Sequence, residues 1–313
     1  MWAVERLGSD IWDGYAFDVA MDGFEPQPGL IDPRPFRVSS PERPFAPVVF
    51  ASAHSGRGYT AELLSGVRLG SLSLRRSEDC FVDELFAAAP AHGATLIAAN
   101  FPRAFCDANR EPWELDPAMF DEQLPDWVNT TSPRVSAGLG TIAKVVASGE
   151  PIYGGKLSFL EAERRIQVYW HPFHDALRLL LDDLKTRFGY SLMIDCHSMP
   201  STGQGSRAHG RPVDFVLGDL HGAACSPRVT RAVEGFLLSR GFHVRRNDPY
   251  AGGYITKHYG RPSHDVHVLQ IEIARRLYMD EGLIERSVDF EAVKRTITDL
   301  IAMVTRDAHD LIG

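Results

Sequence analysis

Apolar positions along this chain fall into short unbroken runs separated by longer periodic stretches. Pro47-Val48-Val49-Phe50-Ala51-Ser52-Ala53 is β-branched at its centre and ends at His54-Ser55-Gly56, so it predicts a buried strand that delivers His54 at its carboxyl end. Residues 82 to 89 read as helix. Ala94-Thr95-Leu96-Ile97-Ala98-Ala99 reads as the next strand, with Asn100-Phe101-Pro102-Arg103 at its exit. From 159 to 187, Leu160, Ile166, Tyr169, Leu177, Leu180, Leu181 and Leu184 recur near helical spacing, with Pro172 as a candidate kink. Tyr190 to Asp195 forms another apolar run and leads into Cys196-His197-Ser198. A helix at 227 to 240, strands at 242 to 245 and 266 to 273, and a last helix at 288 to 309 complete an alternating α/β pattern. In such folds ligands gather at the carboxyl ends of strands.

Two stretches lack periodicity. The first 45 residues are rich in Pro, Asp and Gly and are expected to be irregular. Residues 111 to 157 are punctuated by Pro and Gly, and loops of that length in a compact domain are often functional, which makes this excursion a candidate lid. The whole of 1–313 is read as one domain, without internal repeats.

Composition narrows the class. A chain of 313 residues, 44% hydrophobic, can bury a substantial core. The formal net charge of −8 and the scattered Lys and Arg residues argue against a nucleic-acid partner. With no basic-then-apolar leader at Met1 and no apolar run of about 18 residues, a soluble cytoplasmic protein without a membrane segment is expected. Cys80, Cys106, Cys196 and Cys225 are far apart and form no Cys-x-x-Cys pair, so they read as reduced, buried residues.

The candidate chemistry lies at strand exits. His54 and His197 each follow an apolar run, and two such imidazoles could share one ion with a third, carboxylate donor. Ser77-Glu78-Asp79-Cys80 offers two candidates for it. A histidine at a strand end is more often simply hydrogen-bonded, and His-Glu-x-x-His is absent. Asp195 shares a strand face with His197, where it could orient the imidazole or cap a following turn. In Val268-Leu269-Gln270-Ile271-Glu272-Ile273, alternation puts Gln270 and Glu272 on one face of an apolar strand; a carboxylate there is either a general base or the partner of a core arginine. Arg103 and Arg110 flank a polar segment and could clamp carboxylates or pair with Glu111 and Glu114. The glycines of Asn247-Asp248-Pro249-Tyr250-Ala251-Gly252-Gly253-Tyr254 suit close approach to a ligand, and no nucleotide-binding glycine motif occurs. A serine hydrolase is disfavoured by the absence of Gly-x-Ser-x-Gly.

Taken together, Ala53-His54-Ser55-Gly56, Glu78-Asp79, Arg103 with Asp107-Ala108-Asn109-Arg110, His171-Pro172-Phe173-His174, Asp195-Cys196-His197-Ser198, Asn247 through Tyr259, His267 through Glu272 and Leu277 through Glu281 resemble the N-formylglutamate amidohydrolase family, in order and at similar spacing. Pro249 to Thr256 followed by Gln270-Ile271-Glu272 is the most specific part. The resemblance implies a zinc-carboxypeptidase-like (phosphorylase/hydrolase-like) three-layer α/β/α sandwich around a mixed sheet. It implies hydrolysis of N-formyl-L-glutamate to formate and glutamate in histidine breakdown. It also implies one divalent ion, zinc, on His54, Asp79 and His197, with Glu272 as general base. Arg103 and Arg110 become carboxylate clamps, Arg103 counted among the catalytic groups, and Asn247, Gly252, Gly253 and Tyr254 fall at the substrate. A deacylase or exopeptidase acting on another N-acyl amino acid, and a catalytically silent dicarboxylate-binding relative, are the alternatives.

Overall fold

The computed structural model describes residues 34–42, 44–201 and 211–312. Seven strands form one sheet: β1 (Phe36–Ser39), β2 (Val48–Ser52), β3 (Thr95–Ala99), β4 (Ser191–Met199), β5 (Phe215–Gly218), β6 (Val244–Arg246) and β7 (Val266–Ala274). Their spatial order is β1-β3-β2-β4-β7-β5-β6. The centre, β3-β2-β4-β7, is parallel, whereas β1 runs antiparallel to β3 and β5 antiparallel to β7, so the sheet is mixed.

Helices cover both faces. On one, α1 (Phe159–Arg165) and α2 (His171–Phe188) are joined by a π-helical turn, Ile166–Trp170, and pack Ile166, Phe173, Leu177 and Leu181 onto Val49, Ala51, Ile97, Met193 and Val268. On the other, α3 (Pro227–Ser239) and α4 (Phe290–Ile312) pack Val233, Leu237, Ile297 and Leu300 onto Phe50, Leu192, Ile194, Leu269 and Ile271. This is the expected three-layer α/β/α sandwich. Because the strands are buried on both faces, β2 and the first half of β4 read as unbroken apolar runs, which Asp195 and His197 on β4 and Gln270 and Glu272 on β7 then interrupt.

Three local expectations change. The stretch before residue 45 is not irregular throughout: it supplies the edge strand β1, with Phe36 and Val38 turned onto the α2 layer and Arg37 paired with Asp83. Residues 1–33 lie outside the described residues. Strand β5 was not expected, being four residues long. The irregularity of the long helix precedes Pro172: the His171 N–H reaches back five residues to the Ile166 carbonyl, and Pro172 itself has no N–H to donate to Val168.

The excursion at 111–157 contains only short helical turns and isolated bridges, yet it is packed. Leu115, Phe120, Leu124, Val128 and Ile142 form one small core, and Val146 and Ile152 join Leu74 and Ala104 in another. Gly140 is required where the two loops meet, since a Cβ there would lie 2.2 Å from the Glu114 carbonyl oxygen. Among the described residues no helix is long and apolar enough to cross a membrane.

Candidate metal centre and active site

Strand alternation decides which side chains reach the site. Met193 faces the α1–α2 layer, so Asp195 and His197, two and four positions on, face the same way beyond it. Val268, Gln270 and Glu272 do the same on β7, and the parallel register sets Asp195 beside Gln270 and His197 beside Glu272. His54 follows β2, and its carbonyl accepts the N–H of Asp79 at 3.0 Å, which brings the 78–79 turn under the strand end. All these polar groups are buried. Such burial is tolerated only where the groups satisfy one another or a ligand.

The two histidines are held alike. Nε2 of His54 lies 2.7 Å from Asp107 Oδ1, and Nε2 of His197 lies 2.8 Å from Asp195 Oδ1. A carboxylate only accepts, so each Nε2 donates to the aspartate behind it, and Nδ1 is the ring nitrogen of each histidine that is placed to ligate a cation. Both Nδ1 atoms face one oxygen: Asp79 Oδ2 is 2.8 Å from His197 Nδ1 and 3.4 Å from His54 Nδ1. The other Asp79 oxygen accepts from Arg275 Nη2 and Ser198 Oγ, each at 3.2 Å. Glu78 points elsewhere, to Tyr59, Arg75 and Cys80.

This donor set fits a divalent cation. One ligand atom from each of His54, Asp79 and His197 lies within 4.8 Å of the others. His54 Nδ1 is buried without any hydrogen-bond partner, a costly state for a lone pair that nothing else uses. Carboxylates behind both imidazoles are the usual outer partners of metal-binding histidines. Burial pushes Asp79 up, but its hydrogen bond to His197 and the nearby imidazole of His54 outweigh this and hold it well below the ordinary carboxylate range. Burial likewise lowers His197, but Asp195 and Asp79 outweigh that and raise it well above an ordinary imidazole. The cluster is built to stabilise positive charge.

Glu272 sits next to His197 in the paired strands and accepts a hydrogen bond from Gln270 Nε2 at 3.0 Å. Among the described residues it has no ion pair, so the arginine-partner reading is set aside. Burial, opposed by His197 and reinforced by Asp79 and Asp195, raises its pKa to about 7. Gln270 Oε1 in turn accepts from Gly253 N at 2.9 Å and ties the glycine loop to β7.

A cavity of about 370 Å³ opens over these groups, lined by His54, Asp79, His197, Glu272, Arg103 and Arg110 among others. That volume suits a small molecule. Arg103 bonds Asp107 Oδ2 at 2.7 Å, and Arg110 donates to the Leu139 and Asn109 carbonyls at 2.9 and 2.7 Å. The 105–110 loop is clamped from the α1–α2 layer, because Trp170 Nε1 donates to Arg110 O at 3.0 Å and His174 Nε2 to Ala108 O at 2.8 Å.

Gly252 and Gly253 line the cavity, and an added Cβ at Gly253 would lie 2.4 Å from the Asn109 amide. Asn247 and Tyr254 do not line it. The Asn247 side chain bonds the Asp219 carboxylate and the backbone N–H groups of Asp219 and His221, and Tyr254 stacks on His258; Tyr250 faces the cavity instead. Asp107, Arg275 and Arg134 went unassigned in the sequence, since only folding shows what each meets. Cys196 lies on the opposite sheet face, in the apolar core.

Residues 46–279 match a family model described as N-formylglutamate amidohydrolase. An N-formylglutamate deformylase of Pseudomonas putida is 30% identical over 247 residues, 75% of this chain and 82% of the relative. Another, from Pseudomonas aeruginosa, is 30% identical over 253 residues, 78% and 86% of the two chains. The crystal structure of N-formylglutamate amidohydrolase from Ralstonia eutropha JMP134 superposes with a TM-score of 0.83 at 38% identity, covering 88% of this chain and 99% of that one.

Proposed function

The chain belongs to the N-formylglutamate amidohydrolase family, and from that premise we propose that it hydrolyses N-formyl-L-glutamate to formate and L-glutamate with a zinc ion on His54, Asp79 and His197. The observation that carries this reading is the pair of carboxylate-backed histidines whose Nδ1 atoms face one Asp79 oxygen beside a glutamate raised to about 7. In a site of this kind a divalent ion supplies Lewis acidity, polarising the formyl carbonyl and lowering the pKa of the attacking water.

The chain's own groups do the rest. Glu272, ionised, takes one proton from the water as its oxygen joins the formyl carbon. It returns that proton to the amide nitrogen as the carbon–nitrogen bond breaks, leaving formic acid and the amine, and the acid's remaining proton passes to the amine to give formate and glutamate with its ammonium group. The Arg103 guanidinium, held by Asp107 at the cavity wall, stabilises negative charge on the former carbonyl oxygen. Arg110 receives a substrate carboxylate on its remaining Nη2 edge, and the Gly252–Gly253 backbone permits close approach.

The test joins metal analysis by mass spectrometry to formate release from N-formyl-L-glutamate, before and after chelation and zinc restoration. About one metal per chain with chelator-sensitive release is the expected result. Metal without formate release points to a different acyl group, and a chain that takes up no metal overturns the mechanism.

A further inference from the structure

Four arginines line the cavity, and one of them has no partner among the described residues. Arg275 is fully engaged, with Nε on Ser198 Oγ, Nη1 on the Arg76 carbonyl and Nη2 on Asp79. Arg103 is bound to Asp107, and Arg110 spends Nε and Nη1 on backbone carbonyls. Arg134 lines the same cavity and, among the described residues, makes no hydrogen bond or ion pair.

Its backbone position is nevertheless fixed. The helical turn Pro133–Ser136 is capped by the Ser132 side chain on Val135 N and anchored by the buried Val135. Leu139 joins the two arginines through its peptide: its N–H donates to Arg134 O at 2.8 Å, and its carbonyl accepts from Arg110 Nε at 2.9 Å. Burial lowers the pKa of Arg110, and the charges of Arg103 and Arg134 add to that against the pull of Asp107. Two guanidinium groups thus face one space with no carboxylate from the described chain assigned to the outer one. Leu139, Ala143 and Val145 supply apolar wall beside them.

We infer that Arg134 binds the side-chain carboxylate of an acidic N-acyl amino acid and makes the 111–157 excursion the part of the molecule that selects glutamate. This rests on the function proposed above. Acylation removes the amine charge, so the substrate is a dianion, and the cavity lining carries four arginines against Asp79, Asp107 and Glu272. The α-carboxylate lies three bonds from the scissile carbonyl carbon and the side-chain carboxylate five, by the covalent structure of glutamate. Arg110, within 3.7 Å of the Asp107 that holds His54, is the inner cation, and Arg134, from the excursion, is the outer one. The nearer carboxylate pairs with the former and the farther with the latter, across the apolar wall that meets the methylenes.

The experiment compares wild type with R134Q and R134K, zinc-loaded, on N-formyl-L-glutamate and N-formyl-L-glutamine, with calorimetric titration of each protein by L-glutamate and by L-glutamine. Loss of one charge-assisted contact predicts that R134Q lowers the glutamate-to-glutamine preference in kcat/KM by roughly 10- to 100-fold, mainly through KM, with partial rescue in R134K. Glutamate binding should weaken by a similar factor. Equal losses on both substrates, or an unchanged preference, overturn the assignment. If zinc-loaded wild type releases formate from neither substrate, the parent reading fails, while the titrations still decide whether Arg134 distinguishes a side-chain carboxylate from its amide.

Discussion

The ends of β2, β4 and β7 and the 111–157 excursion face each other across one cavity, and they are built on opposite principles. The strand ends hold their polar groups by long-range pairs: His197 to Asp79 across 118 positions of sequence, and His54 to Asp107 across 53. Each group is buried and its geometry is set by a sheet packed on both faces. The excursion has no strand in that sheet and rests on two small cores, one shared with Ala162 of α1 and the other with Leu74 and Ala104. One side is held by the sheet, while the other meets it through a few backbone contacts, such as Asp107 N–H on Thr141 O and Arg110 Nε on Leu139 O. On the readings proposed above, chemistry belongs to the sheet wall and choice of substrate to the excursion.

That contrast can be broken most severely from the sheet side. His54→Ala removes a donor whose Nδ1 nothing else uses, and metal content by mass spectrometry should fall to near zero together with all formate release. Glu272→Gln keeps the three donors and should lower kcat by roughly 100- to 10,000-fold with metal retained, the range expected for loss of a general base. The wild-type pH profile sharpens the same point. Glu272 must be ionised to act, its carboxyl is raised to about 7 in the ion-free protein, and a bound cation would pull it down. Activity should therefore be lost as pH falls through a value above that of an ordinary glutamate and no higher than about 7, tenfold per unit below it.

Weaker effects should follow outside the donor set. Asp107→Asn spares all three ligands but removes the carboxylate behind His54, and zinc affinity measured by competition with a chelator should drop about 10- to 100-fold. The smallest effect belongs to the excursion. Ile142→Val thins its own core and should cost about 0.5 to 1.5 kcal/mol locally. Hydrogen exchange should then quicken across 111–157 while β4 and β7 stay protected. Equal quickening of both would mean that the two walls unfold as one unit.

The central strands were legible because strands buried on both faces leave continuous apolar runs, as in Val48-Val49-Phe50 and Leu192-Met193-Ile194. Strand β1 was not, since it is an edge strand of four half-buried or exposed residues inside a proline-rich stretch. The excursion's cores are also invisible to periodicity, being assembled from loops with no repeating angle. His54, Asp79 and His197 emerged from ordered family motifs, and their spacing alone would not have separated Asp79 from Glu78. Asp107 shows why second partners escape: an aspartate in a polar loop looks the same whether it meets water or an imidazole. Asn247 and Tyr254 show the converse, because a glycine-rich loop does not reveal which side chains turn inward.

The π-helical turn at Ile166–Trp170 can be understood as a matter of phase. Each residue of a regular helix advances the side chains by about 100°, so a wider turn resets which face every later residue presents. Here the reset lets one helical segment serve two masters: α2 lays Phe173 and Leu177 on the sheet, while Trp170 and His174 stack at 3.7 Å between ring centroids and donate to the loop that carries Arg110. Deleting a single residue within that turn would restore an ordinary helix and rotate α2 by about 100° relative to α1. The packing of α1 and of α2 on the sheet, and the hold of α2 on the 105–110 loop, could then no longer be satisfied at once. The irregularity is a timing element, read once by the core and once by the active site.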